Sequence, residues 1–505
     1  MEKRKPRPPS AEQLIQYALK VKDIPIDTTS AGNPVDSETD IKTIGPHGPV
    51  PLEDTIYLDK VFHFTGERNP ERVVHAKGGG AFGYFEVTHD ISHLCRAAIF
   101  SEVGKQTPVA ARFSTVWGER GSADTNRDPR GFAIKFYTEE GNWDLVGNNT
   151  PIFFVRDAFR FPHFIHSQKR NPVTHLRDWD AFWDFISLLP ETTHQVMILF
   201  SDRGIPDGFR HMHGYGSHTF KLVNRERQPV YCKFHFRTDQ GIKNLSAQTA
   251  QKLGGTNPDY AIQDLYDNIA KGNFPSWTFY IQVMSFEQAE TYKWNPFDVT
   301  KIWPQSDFPL IPVGHMVLDK NPGNHFAEIE QLAFNPNNLI PGVEPTPDKM
   351  LQGRLHSYLD THIHRLGPTT TKSPLIARTE SELLIISGML LWLLTIRMGR
   401  PTITLTVSRG RSPRLMEPGL RMMPREMSRD IRLKGEDNFS QPRILWSSVL
   451  DDAARDRMTT NIASVLKLAA PFIQERTVKM FSQVHPDFGA RLRKKLPHFQ
   501  ESSEE

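Results

Sequence analysis

Short apolar runs bounded by turn residues recur through the middle of the chain. Ala110–Val116 (AARFSTV), Phe132–Tyr137 (FAIKFY), Val230–Phe236 (VYCKFHF) and Trp277–Met284 (WTFYIQVM) are rich in aromatic and β-branched residues. Each predicts a strand. Their spacing, with loops and helical stretches between them, predicts an α+β fold: a large antiparallel β-barrel with inserted helices. From Ser447 to Lys494 the period changes. Leu450, Ala453, Met458, Ile462, Val465 and Leu466 recur at three- and four-residue steps, which predicts helices. Residues 1–70 are rich in Pro and Asp, have few apolar periods, and read as an extended arm. Residues 320–368 are rich in Pro, Asn and Gly and read as a long wrapping connection. The expected division is an arm over 1–70, a barrel domain over 71–320, a connection over 321–435 and a helical domain over 436–505.

Composition narrows this picture. The 505 residues carry a net charge of +3, which gives no reason to expect a nucleic-acid partner. Apolar residues make up 38%, below the usual ~45–50%, yet a chain of this length buries a large core. Two cysteines, Cys95 and Cys232, exclude a disulfide scaffold and fit a reducing compartment. The charged, Pro-rich start has no apolar stretch of secretory type, and the SSEE end has no Ser-Lys-Leu address. An intracellular protein is expected, in peroxisome or cytoplasm. The apolar run Leu383–Ile396 would span about 21 Å as a helix, short of the ~30 Å hydrocarbon core. No membrane partner is expected.

Three segments hold candidate chemistry. His75 precedes Ala76-Lys77-Gly78-Gly79-Gly80, where a Gly-rich loop could leave the imidazole free to face a ligand. Asn148, in Gly147-Asn148-Asn149-Thr150, offers an amide donor for a bound oxygen species. Arg354 and Tyr358 are four apart, so on a helix they share a face. An adjacent guanidinium favours a phenolate, and Tyr is one of the side chains that ligate haem iron. Arg365, seven residues further on, could reach a carboxylate of such a group. Zn on His211/His213 or His362/His364 is disfavoured, because no HExxH motif and no paired cysteines complete a site.

Longer strings carry a resemblance. ERVVHAKGGGAFGYFEVTHD, ARFSTVWGERGSADTNRDPRGFAIKFYTEEGNWDLVGNNTPIFFVRD and RLHSYLDTHIHRLGP are similar to the haem-catalase family, small-subunit animal-like type. The likeness runs from about residue 22 to Pro368 and resumes from about Glu436 to Leu496. It implies disproportionation of hydrogen peroxide to water and oxygen, a haem b cofactor and a homotetramer with exchanged arms. By the resemblance, His75 is the distal acid–base residue, Asn148 its partner, and Ser114 the hydroxyl that orients the imidazole. Tyr358 is the proximal iron ligand and Arg354 balances its charge, with His218 and Asp348 behind. Arg72, Arg112 and Arg365 match the clamps on the haem carboxylates. Val74, Val116, Phe153, Phe154 and Phe161 match the apolar wall, and Asp128 the carboxylate at a channel mouth. Gly66 and His356 depart from the family pattern at non-catalytic positions. His194, Ser201, Arg203, Tyr215 and Trp303 match its NADPH pattern; Ile198, His213, Arg237 and Gln305 do not. The same resemblance leaves open a haem hydroperoxide lyase or an allene oxide synthase, which share a Tyr ligand.

Residues 369 to about 414 match nothing in the family. Thr369–Arg378 (TTTKSPLIAR) can be coded so that a one-base shift reads NYNKIPVNCP, which resembles what the family has after RLGP. The same shift turns LWLLTIRMGRPTITLTVSRG into MAADNQNGAPNYYPNSFSG. The segment therefore reads as a frameshift after Pro368, corrected between about Pro413 and Arg432. A polar loop is replaced by the Leu383–Ile396 run, and a chain inactivated by that change is a further alternative.

Overall fold

A computed structural model describes residues 27–35, 40–368 and 437–501, with the single position 19. The four predicted strands are present. They belong to a set comprising β1 (Gly78–Val87), β2 (Gln106–Ser114), β3 (Gly131–Thr138), β4 (Gly141–Asn148), β5 (Gly214–Tyr215), β6 (Phe220–Val223), β7 (Pro229–Thr238), β8 (Ser276–Met284), β9 (Ile311–Lys320) and β10 (Val343–Glu344). Eight of them close an antiparallel barrel in the order β7-β5-β4-β3-β2-β1-β9-β8, with β8 returning to β7. β6 lies on β7, and β10 on β6.

Side chains alternate across each strand, so every strand has two roles. The inward set is aromatic. Phe85, Phe113, Phe132, Phe136, Trp143, Phe236 and Phe279 are all fully buried. Phe136 and Trp143 stack with centroids 4.7 Å apart, and Phe236 and Phe279 at 4.5 Å. Each such ring contributes roughly 1.5–3 kcal/mol by burial. The barrel is therefore filled, and any chemistry must sit on its outer face.

The arm is not wholly extended. It carries α1 (Thr55–Gly66), capped by the Asp54 side chain on Tyr57 N, and none of its residues is buried. The run Gly78–Gly80, expected as a loop after His75, is the start of β1. Its glycines fit because a Cβ at Gly80 would come within 2.6 Å of Ala111 O.

A second core lies among helices. α2 (Trp179–Leu188) and α3 (Thr193–Phe200) sit between β4 and β5 in the chain. α4 (Lys349–Leu366) follows β10, and α5 (Asp452–Leu466), α6 (Pro471–Val484) and α7 (Pro486–Lys495) come last. Trp183, Ile186, Val196 and Met197 pack in one cluster with Met458, Ile462, Phe481 and Phe488. The C-terminal helices thus share their core with α2 and α3. Of the six positions read as their apolar period, Met458, Ile462 and Leu466 are buried and Val465 is partly so. Ala453 is exposed, and Leu450 lies just before α5.

The connection is fixed to the barrel by charge. Lys135 on β3 meets Asp144 on β4 on the outer face, with Nζ to Oδ1 at 2.6 Å, both side chains fully buried. Asp144 Oδ2 also accepts from Asn335 N at 2.9 Å and Asn338 Nδ2 at 2.8 Å. Removing one partner of such a pair typically costs ~3–5 kcal/mol. The network holds Leu332–Phe334 against the outer face of β3 and β4, beside the site described next.

Candidate active site

The outer-face residues of β1 to β5 form rows. One register row runs Gly78, Ser114, Gly131, Asn148, Tyr215 across five strands. The next runs Gly80, Arg112, Ala133, Val146. Ser114, Gly131, Asn148, Arg112, Ala133 and Val146 all line one cavity of about 240 Å³. Opposite them is α4. Its Arg354, Ser357, Tyr358, Thr361, His362 and Arg365 line the same cavity, at steps of three and four that place them on one helical face. Asp348 caps α4 through Leu351 N at 3.0 Å, and Gly367, at φ 88°, ends it with a bond from its N to Ile363 O.

His75 enters from the segment before β1. Its φ is +65°, a left-handed conformation that costs ~1–3 kcal/mol outside glycine and persists only where neighbours enforce it. Two bonds do so: His75 N donates to Val116 O at 2.8 Å, and Arg112 Nη1 donates to His75 O at 2.9 Å. Ser114 Oγ lies 2.9 Å from His75 Nδ1, which leaves Nε2 for the cavity. A Cβ at Gly131 would stand 2.7 Å from Nδ1 and closer still to Ser114 Oγ, so only glycine leaves the ring in place. Burial, then the charges of Arg112, Arg354 and Arg72, push the His75 imidazole down to about 3. It is a neutral base at ordinary pH.

At the opposite wall, Arg354 Nη2 donates to Tyr358 Oη at 2.8 Å and to Val146 O at 2.9 Å. Arg354 Nη1 donates to His218 Nε2 at 2.8 Å, so the His218 proton is on Nδ1 and points to Asp348 Oδ2 at 2.7 Å. Asp348, His218, Arg354 and Tyr358 form one chain of hydrogen bonds that ends at a phenol oxygen in the cavity.

One end of the cavity is cationic. Arg72, Arg112 and Arg365 line it, and Arg112 Nε is buried without a partner. Burial and mutual repulsion lower the pKa of all three, that of Arg365 to about 9. Such a cluster is suited to anionic groups. Val74, Phe153 and Phe161 line the apolar part, the two rings stacked at 6.1 Å. The cavity therefore suits a large, flat, mostly apolar group with an anionic edge and a metal that takes an anionic oxygen ligand.

Of the expected wall, Val74, Val116, Phe153 and Phe161 are in place. Phe154 instead faces the helical core, 4.3 Å from Phe164. Asp128 is buried behind the wall, with Oδ2 accepting from Val116 N at 2.7 Å and Trp117 N at 3.1 Å. Burial raises its carboxyl to about 7. Sequence reasoning missed Ser217, Ser357, Met350 and Leu332–Phe334, which also line the cavity. Only the helical period could have found Ser357.

His194, Ser201, Arg203, Tyr215 and Trp303 do not line this cavity. Arg203 and Arg237 lie beside Tyr215, and Lys233 stands 5.5 Å over the Trp303 ring. Arg237 Nη2 donates to Gln305 Oε1 at 2.9 Å. A second cavity, of about 210 Å³, lies by Trp117, Trp179 and Phe200, and none of the candidate catalytic residues lines it.

Comparison with known proteins gives the same direction. The Catalase family profile matches residues 28–381, and the Catalase-related immune-responsive profile matches residues 432–496. The Catalase match runs to residue 381, past Pro368 and into the stretch read as matching nothing in the family, whereas neither match covers 382–431; residues 369–436 lie outside the described residues. The chain is 55% identical to a catalase of Glandirana rugosa over 94% of its own length and 90% of that protein's. It is 56% identical to a catalase of Ascaris suum, over 97% and 90%. Among solved structures, a fungal catalase superposes with a TM-score of 0.85 at 42% identity, covering 94% of this chain and 98% of that one. Catalase A from Saccharomyces cerevisiae does so at 0.84 and 42% identity, covering 93% and 98%. Sequence and fold agree over nearly the whole length, and the chain belongs to the catalase family.

Proposed function

We propose that His75, Asn148 and Ser114 on one wall and Tyr358 with Arg354 on the other carry the reaction of this family, the disproportionation of two hydrogen peroxides to two waters and one oxygen. The observation that supports it is the convergence of both sets on one cavity. The family implies haem, and the cavity's chemistry fits haem b. Tyr358 Oη would hold the iron, Arg72, Arg112 and Arg365 the two carboxylates, and Val74, Phe153 and Phe161 would pack on the apolar part. When bound, the haem iron supplies electrons to cleave the O–O bond of one peroxide and recovers them from a second.

The protein moves the protons. His75 Nε2 takes the proton from the near oxygen of peroxide and delivers it to the far oxygen, which leaves as water. Ser114 Oγ on Nδ1 holds the ring in that orientation. The Asn148 amide donates to the far oxygen and keeps the second peroxide in line as its two hydrogens depart. Arg354, backed by His218 and Asp348, holds a positive charge against the Tyr358 oxygen. Purified protein given hydrogen peroxide or a fatty-acid hydroperoxide tests the reading. Fast oxygen release from peroxide is expected, and preferential turnover of the lipid would overturn it.

The neutral His75 makes a pH prediction. With the imidazole down at about 3, turnover should stay level from about pH 5 to 8 and fall only in stronger acid. A titration step near the free-imidazole value of ~6.5 in the rate profile would contradict the assignment. The stability sign follows: the folded chain binds fewer protons at this site, so stability declines as pH falls below ~6.5 towards 3.

NADPH is a weaker fit. His194, Ser201, Arg203, Tyr215 and Trp303 keep the family's pattern, but Ile198 offers no aromatic face and Arg237 is engaged by Gln305. The homotetramer with exchanged arms draws support from α1, where Phe62 and Phe64 are 70% and 71% exposed. Residues 369 to about 430, for which the sequence predicts little regular structure packed on the core apart from a possible stray helix near 380–398, lie outside the described residues. Every residue placed in the chemistry precedes them. Restoring the frame should raise solubility and specific activity, because it replaces an apolar run by a polar loop. Equal values for the two proteins would show that the segment is tolerated.

A further inference from the structure

The cationic end of the cavity holds a carboxylate that the mechanism does not use. Glu330, at the end of the π-helical turn Phe326–Glu330, is 7% exposed and does not line the cavity. It stands behind the guanidiniums. Its Oε2 is 3.3 Å from Arg72 Nη1, and its Oε1 accepts from Arg120 Nη2 at 3.2 Å. Main-chain carbonyls of the same turn complete the contact. Arg72 Nη2 donates to Ile329 O, Glu330 O and Leu332 O at 3.2, 3.1 and 2.9 Å. Arg365 donates to Glu330 O at 2.6 Å and Leu332 O at 3.0 Å. Burial works to raise the Glu330 carboxyl, but Arg72, Arg112, Arg120 and Arg365 outweigh it and hold it below the usual carboxylate range.

These contacts set a charge balance. Arg72, Arg112 and Arg365 on the cavity and Arg120 behind them gather around the single carboxylate of Glu330, so positive charge is in excess there. Two carboxylates on a bound group would offset part of that excess. Before such a group arrives, Glu330 is the anion nearest to Arg72 among the described ion pairs, and without it a buried cluster of like charges has only carbonyl dipoles to offset its repulsion.

We infer that Glu330 is the resident counter-ion of the haem-free pocket: it holds Arg72 and its neighbours folded in place until the cofactor's own carboxylates arrive. The inference rests on the haem reading above. It makes Glu330 a positioning residue whose weight differs between two states of one protein. In the haem-free chain it is the nearest source of negative charge to Arg72. In the loaded chain the two carboxylates share that role, and Glu330 matters less.

The test is thermal unfolding of the full chain, purified with haem and from haem-deficient expression, as Glu330→Gln, Glu330→Asp and the unaltered protein. Glu330→Gln removes the charge and keeps the size. It should lower the unfolding temperature of the haem-free form by about 3–5 °C and that of the loaded form by less than half as much. Glu330→Asp should recover most of the loss. Equal losses in both forms, failure of both forms to fold, or an unaffected haem-free protein would each overturn the inference. So would Glu330→Asp behaving like Glu330→Gln. Failure of the haem reading itself would be seen separately, as an unaltered protein that never acquires a Soret band.

Discussion

Tyr358→Phe should yield a protein that folds but retains little haem, or carries it with a displaced Soret band. The substitution deletes one oxygen atom and leaves α4 and its packing unchanged. That oxygen is the one proposed to hold the iron, and Tyr is the iron ligand known for this family. The loss also reaches behind the phenol. Arg354 Nη2 keeps only Val146 O as partner, and for this half-buried guanidinium the lost acceptor costs about 1 kcal/mol, the low end for an unsatisfied donor. Arg354→Ala should act in the same direction, less severely, because the phenol remains while its balancing charge is gone. Haem content per chain and the absorption spectrum give the readout. Native content and spectrum in Tyr358→Phe would exclude the residue as ligand.

His75→Ala should leave haem binding near normal and nearly abolish turnover. A positioned acid–base group typically contributes ~10²–10⁴-fold, and here one imidazole both takes and returns the proton. The backbone at 75 is held by Val116 O and Arg112 in a left-handed conformation, so removing the ring does not release the segment. Asn148→Ala should cost less, since it removes a donor that orients the peroxide and leaves the base in place. The comparison is made per haem, by initial rates of peroxide loss. A His75→Ala protein with unreduced rate would remove the proton-transfer role.

The sequence announced some parts of this molecule and hid others. Strands such as Phe132–Tyr137 were legible because they are short apolar runs bounded by turn residues, with Phe132, Ile134 and Phe136 on the inner face. The pairing of Arg354 with Tyr358 was legible because a four-residue step on a helix fixes a shared face. The Gly78–Gly80 run misled, because glycine signals a turn as readily as it signals a strand pressed close to its neighbour, and here the second holds. Gly131 and Ser217 went unnoticed because nothing local marks a residue whose importance comes from register with strands far away in the chain. Glu330 was invisible for the same reason: its partners Arg72, Arg120 and Arg365 lie in three separate segments. The resemblance assigned roles to single residues. The row from Ser114 through Gly131 to Asn148 gives the physical reason those residues meet.

His75 and Tyr358, which would flank a bound haem, are expected to support peroxide disproportionation without any other reductant. The most direct measurement is the oxygen yield of the purified, haem-loaded chain in buffered hydrogen peroxide with nothing else added. The account predicts one oxygen released for every two peroxides consumed, sustained over many turnovers. Peroxide loss that stops without an added electron donor, or that proceeds with substantially less than that yield of oxygen, would contradict it.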